Sequence, residues 1–218
     1  SVVSQGPYSL EQLGGDVLSL RTFYLLKAIL ADEILGSTLR EANPTVLQRS
    51  RRLHGEPFFL SGAYQRKSLI EHTLSRQSSH HSDALELIET LLPTRWKDEP
   101  SRAQAFYSLW QHAEDAKIHL GKKHQAGDLE EPFELSTSAL QKLLLQFEIE
   151  TTEIPFTLRL ERSLFDKSIL PDLEEAAQLA KGLLSRLPTA HAQGSTSPAQ
   201  EPLDWLILSG KTCQLAQT

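Results

Sequence analysis

Methionine is absent from all 218 residues, position 1 included, and cysteine occurs once, at Cys213. The reading of the first absence is that the chain is a piece excised from a longer protein. The single cysteine excludes an internal disulfide, which fits a reducing compartment or a fold that needs none. No apolar run reaches the ~18 residues that a membrane-spanning helix requires. The opening Ser1-Val2-Val3-Ser4-Gln5-Gly6 has neither the basic nor the apolar region of a secretory leader. Positive charge is also in deficit, with 22 Lys+Arg against 28 Asp+Glu and a net charge of −6. That balance disfavours broad electrostatic binding to nucleic acid or to an anionic membrane. The expectation is a cytoplasmic protein with neither partner.

What remains is ordinary globular composition, 39% hydrophobic and 23% charged, in a chain long enough for one or two domains with a core. Its patterning is mostly helical. Gly14-Gly15-Asp16 reads as a turn and cap before an amphipathic helix through Val17, Leu20, Phe23, Tyr24, Lys27, Ala28 and Leu30-Ala31, stopping near Gly36. Residues 37–61 read as short helical pieces and loop, 63–77 as a helix using Leu69, Ile70 and Leu74, and 78–83 as a polar loop ending in an Asp83 cap. The next helix runs to Leu92, and Pro93 and Pro100 bracket a break. The longest clear helix spans 101–120, with Ala105, Phe106, Leu109, Trp110, Ala113, Ala116 and Leu120 at three- and four-residue steps and Gly121 as its stop. Phe133-Glu134-Leu135 reads as a short strand, Ser136 as the start of a helix, and Ile154–Leu160 as an alternating strand. Helices are expected at 163–169 and 173–187, divided near Pro171. A Pro/Ser/Gly-bearing linker over 188–202 and an apolar strand Trp205-Leu206-Ile207-Leu208 follow. The expected fold class is α+β, predominantly helical with a small β component.

Chemistry-bearing motifs are sparse. Leu208-Ser209-Gly210-Lys211-Thr212 contains Gly-Lys-Thr, but a phosphate-binding loop needs glycine where Trp205 stands and a long helix afterwards. His80 and His81 are adjacent and have no cysteine at zinc-ligand spacing, so a solvated loop is expected. No Gly-x-Ser-x-Gly occurs, and Cys213 has no identifiable activating base. Glu114 and Lys117 share a helix face at i,i+3, either as a surface ion pair or as hydrogen-bonding groups for a polar ligand such as ribose.

Four loose motifs nevertheless occur in one order. Glu114-Asp115-Ala116-Lys117-Ile118-His119-Leu120 resembles the Glu-x-Ala-Lys-Ile-x-Leu-Ser helix of DnaK-type heat-shock chaperones. Leu13-Gly14-Gly15-Asp16 is similar to the Leu-Gly-Gly-Glu-Asp that opens a helix upstream in that family. Phe156–Asp166 resembles its strand-to-helix passage, and Asp204–Leu215 resembles its adenosine motif, Asp-x-Val-x-Leu-Val-Gly-Gly-x-Thr-Arg-x-Pro. The resemblance covers about 13–35 and 100–218. It implies a lobe fragment of an actin-like ATPase fold, the second lobe of the nucleotide-binding domain, in a chaperone-like or virulence-associated relative.

The resemblance further implies ATP or ADP as ligand, with magnesium held mainly outside this chain. Gly14 and Gly15 would line the nucleoside side, and Glu114 and Lys117 would face ribose and adenine with Ile118 beside them. Gly121 would take the place of the family serine. Ser209, Gly210 and Lys211 would pass under the nucleotide, with Cys213 and Gln214 at the family's Ser/Thr and stacking-Arg positions. Lys211 for glycine, Gln214 for arginine, Gly121 for serine and Ala216 for proline all weaken adenosine binding. The family's Asp-x-Gly-x-x-Thr phosphate loops are missing, so this chain alone is not expected to hydrolyse ATP. The implied organisation is a lobe start at 1–36, a helical insertion at 37–99 offering a protein-docking surface, a peripheral helical subdomain at 100–187, a linker at 188–202 and the adenosine motif at 203–218. The alternative is a degenerate helical module for protein–protein interaction that no longer binds nucleotide.

Overall fold

The computed structural model describes residues 15–53, 68–76, 78–97, 99–122 and 131–184. Eight helices and one small sheet are described: α1 (Gly15–Gly36), α2 (Leu39–Ala42), α3 (Pro44–Leu53), α4 (Ser68–Leu74), α5 (His81–Leu91), α6 (Ala103–Leu120), β1 (Phe133–Glu134), α7 (Thr137–Gln146), β2 (Arg159–Leu160) and α8 (Arg162–Leu184). A 3-10 turn at Pro100–Arg102 leads into α6. The fold class is therefore α+β and mainly helical. β1 and β2 pair antiparallel, Phe133 opposite Leu160 and Glu134 opposite Arg159, whose side chains form a cross-strand ion pair at 3.4 Å. The linker at 188–202 and the apolar run Trp205–Leu208 lie outside the described residues.

Helix α1 is the centre. Its neighbours are α4, α5, α6, α8 and β2, and fourteen of its 22 residues are buried. The expected amphipathic helix is thus covered all round, as a helix apolar on most faces must be. Leu25, Leu26, Ala28, Leu30, Ala31 and Ile34 are fully buried, joined by Leu69 of α4, Leu91 of α5, Leu109, Ala113 and Ala116 of α6, and Phe165 and Ile169 of α8. Each large apolar side chain moved fully out of water stabilises the fold by about 1.5–3 kcal/mol. Leu39, Val46, Ala84, Leu87, Ile88 and Leu92 belong to the same core, so the segment read as an insertion at 37–99 is packed into the body of the protein.

Because α1 is covered, its polar side chains need partners: Thr22 donates to the Leu18 carbonyl of its own helix at 2.8 Å, while Ser19, Arg21, Lys27 and Asp32 find partners on other elements. Lys27, 1% exposed, donates to Glu89 of α5 and to Thr94 Oγ1 at 2.7 Å. Burial lowers its pKa to about 8, although Glu89 opposes the shift. Burial would raise Glu89, but the Lys27 ammonium and the N–H groups of Thr94 and Arg95 more than offset this and hold it below its ordinary value. Arg21 reaches Asp172 of α8 at 3.1 Å. Asp32, 2% exposed, accepts from the Ile70 N–H at 3.0 Å in the first turn of α4, while its Oδ1 has no partner.

Several expectations are corrected. Residues 162–184 form one helix through Pro171, not two. Proline removes an N–H and crowds the carbonyl four residues back. Here Arg76 donates to the Ser168 carbonyl at 3.2 Å in the interrupted turn, and Asp172 directly after Pro171 is held by two arginines, so packing outweighs the break. Asp16 and Asp83 lie within first turns instead of capping them. Helix α5 begins three residues early, with His80 at the cap position, because the Ser78 carbonyl accepts from His81 N at 3.1 Å and His81 Nδ1 donates to the His72 carbonyl at 2.8 Å. Strand pairing covers only Arg159–Leu160 of the 154–160 run, because β1 offers two residues to pair with. Ser136 does cap its helix, accepting from Ala139 N at 3.3 Å. Gly121 caps α6, its N–H donating to the Lys117 carbonyl at 2.9 Å.

Asp32 gives a measurable pH dependence. Burial raises its pKa from 3.8 to about 7, against the Ile70 and Leu69 N–H groups that lower it and with Glu33 and Glu71 adding to the rise. The folded chain therefore keeps a proton that the unfolded chain has released. This contribution to stability is complete below pH ~4 and lost as pH rises through ~7. Between pH 5 and pH 8, urea melts of the wild-type chain should lose ~2–4 kcal/mol more stability than melts of Asp32→Asn. Identical losses in the two proteins would mean that this carboxylate is ionised throughout.

Candidate functional site

The first turn of α1 meets the second half of α6. Glycine at position 15 leaves its carbonyl approachable, and Ser19, one turn on, points to the same side. Its Oγ donates to the Gly15 carbonyl at 2.8 Å. On α6, Glu114 and Lys117 are three residues apart and therefore on one face. Lys117 Nζ lies 2.9 and 2.8 Å from the two Glu114 carboxylate oxygens, 2.5 Å from Ser19 Oγ and 3.3 Å from the Gly15 carbonyl. Ser19 Oγ also contacts Glu114 Oε1. The four residues form one closed hydrogen-bonded cluster joining segments about a hundred positions apart.

Burial graduates across it. Ser19 is fully buried, the Lys117 side chain is 15% exposed and that of Glu114 28%. The carboxylate is thus the most exposed member of the cluster, with the lysine behind it. A carboxylate so placed accepts from a vicinal diol, and the ammonium supplies charge without moving. Ile118, on the next position of the same face, is 57% exposed and presents a bare apolar surface beside the pair. Gly121 completes the stripe 114, 117–118, 121 and is buried.

Of the residues expected to bind nucleotide, the fold thus brings together Gly15, Glu114 and Lys117 and puts Ile118 and Gly121 along the same helix face. Gly14, Ser209, Gly210, Lys211 and Gln214 lie outside the described residues. Ser19 was not among the expected residues. Its signal was available in the four-residue step from Gly15, but a buried hydroxyl on an apolar helix reads as filler until its partner on α6 is known. His80 and His81 do not converge: His80 pairs with Asp83 at 3.8 Å while His81 turns to the His72 carbonyl. Among the described residues no group of three His, Cys, Asp or Glu is arranged to hold a metal.

Two open clefts of about 490 and 430 Å3 lie elsewhere. The first is lined by Arg49, Arg52, Arg95, Arg102 and the carboxylates Glu86 and Glu148; the second by Phe23, Tyr24, Trp96 and Phe106. Neither includes Glu114 or Lys117. Three of its four arginines are used internally: Arg49 donates to the Leu91 and Phe147 carbonyls at 3.2 and 2.6 Å, Arg95 pairs with Glu86 and Arg102 with Glu99.

A double-mutant cycle tests the cluster. Lys117→Met strands the Glu114 carboxylate and should cost about 1–3 kcal/mol in urea unfolding. Adding Glu114→Gln should recover part of that loss, giving a coupling of at least ~0.5 kcal/mol. Strict additivity would show that the two side chains do not interact in solution.

Comparison of the chain with protein-family models, with curated proteins and with solved structures returned no match to any of the three.

Proposed function

We propose that this chain is the nucleoside-side lobe of an ATP-binding protein akin to the DnaK-type chaperones, of actin-like fold, and catalytically incomplete by itself. The observation that carries the reading is the meeting of Gly15 with Glu114 and Lys117. Two motifs that resemble the family's nucleoside contacts are separated by 102 residues between Gly15 and Lys117, yet they share hydrogen bonds. A chance likeness of two short segments has no reason to converge in space. The chemistry suits the ligand: Glu114 accepts from ribose hydroxyls, Lys117 stabilises that carboxylate, and Ile118 gives an apolar edge for a base. Phosphates and magnesium are left to parts outside this chain, and with them the hydrolytic step.

The second reading, an interaction module that keeps the fold without the nucleotide, is favoured by the closure of the same cluster. Lys117 is already fully engaged by Glu114, Ser19 and Gly15. A ligand must compete with Ser19 for that ammonium. Protein docking would then fall to the surface of residues 37–99, where Trp96 stacks on the exposed Tyr107 of α6 with ring centroids 6.3 Å apart.

Calorimetry with ATP and ADP, on the parent protein that contains this chain, separates them. Saturable binding is expected, weakened at least tenfold by Glu114→Ala and by Lys117→Ala while the thermal unfolding of both variants remains cooperative. Heats no larger than dilution in the parent protein would leave the interaction module as the reading.

A further inference from the structure

We propose that the small cavity between α1, α4, α5 and α8 is a binding site for a phosphate-class oxyanion, separate from the Glu114–Lys117 cluster. It has a volume of about 100 Å3 and is lined by Arg21, Tyr24, Thr73, Arg76, His81 and Ser168, among others. Clefts for drug-sized ligands run to ~300–1,000 Å3, so this one suits a five-atom tetrahedral anion better than a nucleotide.

Three observations assign the anion. The first is charge. Arg21 and Arg76 converge on a single carboxylate, Asp172, with contacts of 3.1 Å from Arg21 Nε and of 2.8 and 2.5 Å from Arg76. Two guanidinium groups against one carboxylate leave one positive charge uncompensated. Asp172 is itself ionised: burial would raise its pKa, but the hydrogen bonds from Arg76 and Arg21 hold it below the ordinary carboxylate value. The second is donor capacity. Arg21 spends Nε and Nη2 on Asp172, which leaves Nη1 uncommitted. A guanidinium so fixed at one edge offers its other edge in a set direction. The third is an orphan. Thr73 lines this cavity, and its Oγ1 has no hydrogen-bond partner. A turn about its Cα–Cβ bond would bring the hydroxyl to the cavity, where an oxyanion would accept from it.

The two sites cannot share contacts. At 100° per residue, Arg21 is turned about 200° round α1 from Ser19. The oxyanion site therefore stands whether or not the chain binds nucleotide.

The test is a thermal-unfolding titration of the full chain with inorganic phosphate and with sulfate, against chloride at equal ionic strength. Stabilisation by phosphate should saturate and exceed that by chloride. Arg21→Gln should weaken the apparent affinity at least tenfold and Thr73→Val at least threefold, while Arg52→Gln on the exposed surface of α3 leaves it unchanged. Thr73→Val keeps every ion pair and decides the matter should Arg21→Gln fail to fold, with phosphorus NMR line broadening as its second readout. Stabilisation that never saturates, that chloride equals, or that survives Thr73→Val and Arg21→Gln unaltered overturns the proposal.

Discussion

The structure depends on one constraint: a helix enclosed on every side keeps its buried charged side chains only if each finds a partner on a neighbour, whereas a hydroxyl such as Thr22 can turn back to its own helix. Helix α1 satisfies it with four different partners. Ser19 is taken by α6 through Lys117 and Glu114, Arg21 by α8 through Asp172, Lys27 by α5 through Glu89, and Asp32 by the first turn of α4. Apolar packing is non-directional and tolerates sliding. These bonds do not. Each sets how far along α1 and at what angle one neighbour docks, so the polar exceptions in an apolar helix act as addresses for the surrounding elements.

The proposed sites follow from those addresses. Both are places where an α1 side chain is engaged by another element: at Ser19 a partly exposed Glu114–Lys117 pair, at Arg21 two guanidinium groups on one carboxylate. Lys27 leaves nothing over, being matched to Glu89 and Thr94. Asp32 also has a spare atom, Oδ1, and its consequence is for stability, since burial raises the carboxyl's pKa to about 7.

Local signals were legible in the sequence wherever the deciding physics is local. The Ser136 cap, the stop at Gly121, the break between Pro93 and Pro100 and the periodicity of α6 are each decided within a turn or two of chain, and the expected elements are there. Two of the failures are tertiary. Pro171 is carried inside α8 because Arg76, just past α4, and Arg21 of α1 fasten the turn around it. Glu148 adopts a left-handed φ of 62° that a sequence reader expects of glycine or asparagine. It ends α7 by donating to the Leu145 carbonyl at 2.9 Å, with Arg49 of α3 binding its side chain at 2.7 Å. In the candidate site the Glu114–Lys117 spacing was readable, and Ser19 was not, because nothing local says which buried hydroxyl will meet a charge.

The enclosure of α1 also has a consequence in time. Among the described elements α1 is made first, and its partners at Ile70, Glu89, Glu114 and Asp172 follow in that order. At ~5–20 residues per second of synthesis, the stretch from Gly36 to Asp172 takes roughly 7–27 s. For that interval the most apolar of the described helices has only part of its covering, with Lys27 and Asp32 still hydrated. With Asp16, Arg21 and Glu33, those charges are what the nascent helix has to keep it in water while it waits.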